Sequence, residues 1–288
     1  MIAPNWRALL SLIRPRQWVK NVFVLAPLLF TGQFVYAQSV LSILVATILF
    51  CLVSSAIYII NDWRDVERDR LHPTKCHKRP LAAGTVTLTQ AGQLLAAITG
   101  LLLILMPFCA AMYPKVVVVV AIYFLLNLAY CFCLKNIPVI DIFIIASGFV
   151  LRMIAGAMAL TVHVSSWMFV TTLCLALYLA TVKRRQELLN NGTEARESLR
   201  GYTAPLLERY AQMGATGALV FYGLFTLSSH PELIITIPLV IFGMFRYWWI
   251  VEQGGGESPT DALLSDWALL ATCVAWALLC ATRLTGVL

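Results

Sequence analysis

Residues 40–70 read VLSILVATILFCLVSSAIYIINDWRDVERDR. The first 21 residues of this stretch carry no charge, and the next ten carry seven charges. An apolar run of about 20 residues crosses the roughly 30 Å hydrocarbon core of a bilayer as an α-helix. A dense mixture of carboxylates and guanidinium groups does not enter that core, so the helix surfaces at Asn61. The same pattern governs the rest of the chain. Of 288 residues, 60% are hydrophobic and 12% charged, and the mean hydropathy is +0.81; soluble domains are about 25% charged. A soluble enzyme, a disordered chain and a secreted disulfide scaffold are excluded. The eight cysteines contain no CxxC pair, and all but Cys76 lie in or beside apolar runs, so they read as small hydrophobes rather than metal or redox groups.

Apolar runs place spans at 19–37, 40–60, 91–111, 116–134, 139–160, 165–182, 208–228, 233–251 and 265–285. The fold class expected is therefore all-α, a polytopic membrane protein with nine transmembrane helices in a single domain, 1–288. Residues 1–18 form an amphipathic segment on the membrane face, and 61–90 and 183–207 form two loops on the same side. Lysine and arginine mark the cytoplasmic side of such proteins. With the N-terminus inside, four of them fall up to residue 20, six in 61–90, six in 183–209, and Lys135 and Arg246 join them; only Lys115 and Arg283 fall outside. This gives a cytoplasmic N-terminus and an external C-terminus. Glu232 is the only acid on the outer side. Acids contribute little to orientation, so their gathering on the inner side points to a polar site opening to the cytoplasm.

Asp62, Asp65 and Asp69 are spaced i, i+3, i+7, which on a helix sets three carboxylates within a narrow arc. Like charges so placed repel unless a cation sits among them. Oxygen-only ligands suit Mg²⁺, which binds through a few carboxylates together with substrate phosphates. The competing reading is a solvated face paired with Arg64, Arg68 and Arg70. Asn61 opens the cluster at the membrane edge. The segment from His72 to Gly84 follows, with His72, Lys75 and Arg79 between Pro73 and Pro80; prolines stiffen it, and its cations suit phosphate. A metal-chelating arc beside a cationic cradle fits a substrate with a diphosphate leaving group.

The run Asn61-Asp62-x-x-Asp65-x-x-x-Asp69, followed by Arg79-Pro80 and Gly84, resembles the UbiA superfamily of intramembrane prenyltransferases, and the resemblance covers essentially the whole chain. It implies nine helices around a central cavity, a bound Mg²⁺, and the three aspartates as metal ligands and catalytic groups. Further segments resemble the branch that transfers phosphoribosyl groups to polyprenyl (decaprenyl-type) phosphates: Arg14-Pro15-Arg16-Gln17-Trp18-Val19-Lys20-Asn21, the His72 to Pro80 stretch, Tyr130 with Lys135, Asp141 with Arg152 and Gly156, and Lys183-Arg184-Arg185 with Arg200-Gly201-Tyr202. The second DxxxD cluster of many aromatic prenyltransferases is not found in 183–207.

Asp141 and Arg152 lie eleven residues apart in one apolar run, about three helical turns and so on nearly one face. An ionisable residue inside the bilayer is a functional-site candidate, and both are expected to line the cavity; a structural ion pair is the alternative. His163 and His230 read as polar turn residues of outer loops. The expected substrate contacts are Lys20, Asn61, Arg70, His72, Lys75, Arg79, Tyr130, Lys135, Asp141, Arg152, Lys183, Arg184 and Asp266, the last opening the final helix. Arg14, Arg16 and Arg185 add to the inner-face cations.

The expected reaction, by resemblance, moves a 5-phosphoribosyl group from phosphoribosyl diphosphate to a polyprenyl phosphate in a bacterial plasma membrane, towards lipid-linked arabinose for the cell envelope. Two alternatives stand beside it: transfer of a polyprenyl group from its diphosphate to an aromatic or quinone precursor, and non-catalytic lipid transport. The latter conflicts with charge confined to one side, since alternating access uses a site near the midplane. The partners expected are these two substrates and the bilayer, with no nucleic acid.

Overall fold

The computed structural model describes residues 6–71, 75–193, 196–254 and 259–285. His72 lies outside them, as do Glu194, Gly255, Gly256 and Glu257. The regular elements among the described residues are all helices, the α-helices in the order α1 (Trp6–Leu12), α2 (Ala26–Phe30), α3 (Ala37–Arg64), α4 (Val66–Leu71), α5 (Lys75–Lys78), α6 (Leu88–Met112), α7 (Pro114–Phe132), α8 (Ile140–Ala159), α9 (Ser166–Asn191), α10 (Ala204–Ser229), α11 (Ile237–Glu252), α12 (Pro259–Ser265) and α13 (Trp267–Leu284). Seven helices among the described residues are long and apolar enough to cross a membrane: 37–64, 88–112, 114–132, 140–159, 166–190, 231–252 and 267–284.

Two of the nine expected spans differ. Residues 19–37 do not form one α-helix; they fold as a 3-10 helix (Pro15–Leu25), then α2, then a short 3-10 turn (Gln33–Val35). Pro27 has no N–H to donate and its ring crowds the carbonyl four residues back, and Gly32 adopts φ 64 in the left-handed region. Residues 208–228 lie in α10, which is 26 residues long. Its first half carries Glu208, Arg209 and Gln212, so it is not among the seven.

Neighbour contacts run α6, α3, α7, α8, α9, α10, and continue through α11 and α13 to α2, which returns to α8 and α3. The bundle thus closes on itself, with α8 against α7, α9, α3, α2 and the 3-10 helix. The 3-10 helix reaches α8 because of Gly156, where any Cβ would overlap the Val24 carbonyl. Gly214 does the same between α10 and α9, a Cβ there lying 2.9 Å from the Tyr178 amide. A 3-10 helix has three residues per turn, so side chains at i and i+3 eclipse. Asn21 and Val24 accordingly share one buried face at 1% and 0% exposure, while Val22 stands out at 54%.

Gly156→Ala is expected to lower the unfolding temperature in detergent, at a cost of about 1–3 kcal/mol or more from overpacking against backbone. Gly100, with nothing within 4 Å of an added Cβ, is the control: Gly100→Ala should match or exceed the parent, because glycine weakens a helix interior.

Candidate active site

The charge-rich end of α3 breaks where the sequence turns polar. The helix closes at Arg64, Asp65 takes the capping position with φ −90 and ψ 6, and α4 starts at Val66. The three aspartates therefore do not share one continuous helical face. Asp62 and Asp69 converge on Arg79: its Nη1 donates to Asp62 Oδ1 at 2.8 Å and to Asp69 Oδ2. Arg14 donates to the same Asp62 oxygen at 2.5 Å. Asp65 turns away to Lys135, whose Nζ lies 2.6 and 2.7 Å from its two oxygens. Among the described residues, no group of three or more His, Cys, Asp or Glu converges as a metal cage; Arg79 bridges Asp62 and Asp69, and Lys135 holds Asp65 away from them.

A cavity of about 40 Å³ opens at this cluster, lined by the expected residues Asn61, Asp65, Asp69, Lys75, Arg79 and Lys135. Three further lining residues, Arg68, Asn136 and Arg196, were not among the expected contacts. Five of the nine are Lys or Arg against two Asp, and none is apolar. Such a pocket attracts a polyanion. Burial lifts the Asp69 carboxyl above its ordinary pKa, against the pull of Arg79 and Lys75. Burial likewise lowers the Lys75 ammonium, with Arg79 adding to the effect and Asp69 opposing it.

The oxygen-only donor set fits Mg²⁺. Asp62 supplies an observation to match: its Oδ2 is buried and has no hydrogen-bond partner among the described residues, a costly state for a carboxylate oxygen. Asn136 Oδ1 is orphaned in the same way beside Asp65 and Lys135.

Behind the cavity lies a second network, built on α8 and α9. Asp141, at 0% exposure, accepts from Arg184 Nε at 2.7 Å, Ser198 Oγ at 3.1 Å and Tyr202 OH at 2.7 Å. Arg184 also donates to Tyr130 OH at 2.9 Å and pairs with Glu187; Arg196 reaches the same Tyr130 oxygen at 2.8 Å. Tyr202 OH in turn accepts from the Val139 amide. That contact steadies a strained turn, because Val139 sits at φ 67 and ψ −47 with the Ile140 amide bonded to Pro138 O at 2.8 Å, a γ-turn rarely adopted by a β-branched residue.

Several expected contacts are thus relocated. Asp141 and Arg152 are both on α8 but do not pair, and Asp141 is enclosed by protein donors rather than facing the cavity. Arg152, 4% exposed, donates to Asn21 Oδ1 (2.7 Å), Gly148 O (2.8 Å) and Tyr123 OH (2.8 Å). Arg70 pairs with Glu67 on the surface, at 48% and 80% exposure, because α4 turns it away from Asp69. Asp266 does open the last helix: it caps the Leu269 amide at 2.7 Å and pairs with Arg246 at 2.7 Å, which leaves it tied to α11 and α13. Lys20 and Lys183 lie within electrostatic range of one another, off the 40 Å³ cavity. His163 and His230 line a separate cavity of about 110 Å³ with Phe30, Met153 and Phe225.

Fold and site together define a polytopic helical membrane protein whose charged end offers a cation-rich, metal-compatible pocket. The UbiA prenyltransferase family matches residues 23–272, and the chain belongs to that family. It is 37% identical over 280 residues to the decaprenyl-phosphate phosphoribosyltransferase of Corynebacterium glutamicum, covering 93% of this chain and 84% of that one. It is 36% identical over 289 residues to the protein of the same name from Mycolicibacterium smegmatis, covering 93% and 89%. A UbiA homologue from Archaeoglobus fulgidus bound to GPP and Mg²⁺ shares the fold at a TM-score of 0.73 and 18% identity, over 96% of this chain and 98% of that one.

Removing Arg184 strands Asp141 in the interior, and breaking a buried pair costs about 3–5 kcal/mol. Arg184→Gln should therefore unfold well below the parent in detergent. Adding Asp141→Asn should restore most of the loss in a double-mutant cycle; an additive double variant would refute the pairing.

Proposed function

We propose that the chain transfers a 5-phosphoribosyl group from phosphoribosyl diphosphate to a polyprenyl phosphate, releasing diphosphate. The observation that carries this reading is the cavity lining, five cations to two acids with no apolar member. A prenyl diphosphate brings a hydrocarbon chain to its reacting carbon and calls for an apolar wall there. A phosphorylated sugar brings hydroxyls and a second phosphate, which Asn136 Oδ1 and the surplus cations match. The names of the relatives from Corynebacterium and Mycolicibacterium support the same choice.

Asp62, Asp65 and Asp69 hold Mg²⁺ in this reading, as the Mg²⁺ bound by the Archaeoglobus homologue supports. When bound, the metal neutralises the charge of the departing diphosphate. Arg79 and Lys135, which neutralise the aspartates in its place, then turn to the phosphates. Asn61, Lys75, Arg68 and Arg196 complete the donor pocket, with Tyr130 and Arg184 holding Arg196 from behind. The C1–O bond to diphosphate breaks, and an oxygen of the lipid phosphate forms the new bond to C1. That nucleophile is already anionic, so no general base is required, and catalysis rests on positioning and electrostatics.

The topology belongs to the same proposal: one domain, nine crossings with the 3-10 segment and α10 completing the seven, N-terminus and active site cytoplasmic, C-terminus external, in a bacterial plasma membrane. The product is a phosphoribosylated lipid on the way to lipid-linked arabinose.

The direct assay pairs labelled phosphoribosyl diphosphate with polyprenyl phosphate and Mg²⁺, and separately a polyprenyl diphosphate with 4-hydroxybenzoate. Organic-phase label in the first, abolished by EDTA, is expected; product only in the second would sink the proposal. Asp62→Asn and Asp69→Asn should each lower turnover by about 10²–10³-fold, on the scale of losing one electrostatic stabiliser, with insertion unchanged. In a variant keeping Cys76 as its single cysteine, an impermeant maleimide should label inverted vesicles and spare right-side-out ones.

A further inference from the structure

Arg14 lies 48 residues from Asp62 in sequence, yet its Nη2 donates to Asp62 Oδ1 at 2.5 Å. The contact is built into the way this part of the chain docks. Ser55, Tyr58 and Asp62 are spaced i, i+3, i+7 on α3 and so share one face of it. The corner at Arg14 is laid along that face and touches all three. Ser55 Oγ donates to Ile13 O and accepts from Trp18 Nε1, each at 3.1 Å. The Tyr58 ring centroid is 5.1 Å from the guanidinium carbon of Arg14, and Asp62 accepts the hydrogen bond.

The backbone is bent to allow this. Arg14 sits at φ 52 and ψ 61, in the left-handed region, a strained conformation for a residue with a side chain that persists only where its surroundings over-determine it. Just before it, the fully buried Leu12 belongs to one apolar cluster with Ile59, Val66 and Leu81, which fixes α1 to the end of α3 and to the segment carrying Arg79.

What the corner delivers is an oriented carboxylate. Arg14 and Arg79 both donate to Asp62 Oδ1, while the buried Oδ2 has no hydrogen-bond partner among the described residues. Two donors on one oxygen and none on the other hold the group in a single orientation. Arg79 is shared with Asp69 and, in the transfer reading, leaves for the phosphates. Arg14, tied to Ser55 through the residues on both sides of it, is the donor that stays.

We propose that Arg14 is a positioning residue of the divalent-ion site, holding Asp62 by Oδ1 so that Oδ2 is the oxygen offered to the metal. Carboxylate ligands are oriented by outer hydrogen bonds, and losing one typically weakens metal binding by about 10- to 100-fold. The inference rests on the reading of the aspartates as metal ligands and adds to it a residue from outside the Asp-rich segment. Residues 6–14 then belong to the metal site and are more than a surface anchor.

Mn²⁺, which takes the same oxygen ligands, is titrated into the full chain in nanodiscs without substrate, and the free ion is counted by electron paramagnetic resonance. Arg14→Gln should weaken Mn²⁺ by about 10- to 100-fold. Arg7→Gln, which removes an exposed cation of α1, should leave it within about twofold, since exposed charge is screened. Arg14→Gly separates fold from function, because glycine takes the left-handed conformation without strain: it should unfold no earlier than Arg14→Gln and bind Mn²⁺ as weakly. On an Asp62→Asn background, Arg14→Gln should add less than about a twofold loss, because it acts through that carboxylate. Recovered binding in Arg14→Gly marks a folding effect and overturns the proposal. Unchanged or tighter Mn²⁺ in both Arg14 variants overturns it too, as does a full additional loss on top of Asp62→Asn. If Asp62→Asn itself leaves Mn²⁺ binding intact, the metal reading falls and takes the proposal with it; loss in Asp62→Asn with none in either Arg14 variant sinks the role of Arg14 alone.

Discussion

Asp141 and Arg184 form a buried pair between α8 and α9, and each is shared with other parts of the chain. Through Tyr202 and Ser198, Asp141 holds the linker between α9 and α10; through Tyr130 and Glu187, Arg184 holds α7 and its own helix. A lone charge here would be costly, because several kcal/mol of desolvation per ion is recovered only with near-complete pairing. The pair is therefore a constraint on geometry more than a source of stability. It fixes where the linker can lie, and so where Arg196 enters the cavity from behind Lys135. It also fixes the strained turn at Val139, from which α8 sets off with Arg152 three turns further along.

The acidic cluster follows the same rule in a looser form. Asp62, Asp65 and Asp69 are each matched to Arg79 or Lys135, side chains that can turn elsewhere. Asp62 Oδ2 remains unmatched. In the reading proposed above, a divalent ion at the aspartates would free these cations for a polyanion, so each ligand would relieve the charge that the other leaves exposed.

Much of this was legible in the residues. Apolar length announced the long helices, and α3 surfaces where Asn61 meets Asp62. Asp62, Asp69 and Arg79 could be linked because they are neighbours in sequence. Two kinds of information were not available in that way. Contacts between distant segments, such as Lys135 with Asp65 or Arg14 with Asp62, depend on how helices pack, and no local pattern encodes them. Arg196 and Asn136 carry no signal of their own in the sequence; they join the site only through the packing that sets them beside Tyr130 and Lys135. The second kind concerns period: Trp18, Asn21 and Val24 recur every three residues in the 3-10 helix, whereas apolar length alone predicts an ordinary span over 19–37. Arg70 shows that adjacency in sequence to Asp69 does not settle direction, since α4 turns it outward to Glu67.

The unusually long 3-10 helix, Pro15–Leu25, gives the entry segment a property that an α-helix of the same composition lacks. Its residues climb about 2.0 Å and rotate about 120° at each step, with Arg14 at one end, Lys20 partway along and Gly156 pinning the far side. The segment sets the spacing between Arg14, which pairs with Asp62, and Val24, which packs on α8. Substitution along its more exposed row at Arg16, Val19 and Val22 leaves that measure intact. Inserting or deleting a single residue between Arg14 and Val24 would rotate one end of the segment by about 120° relative to the other, so its length matters as much as its composition.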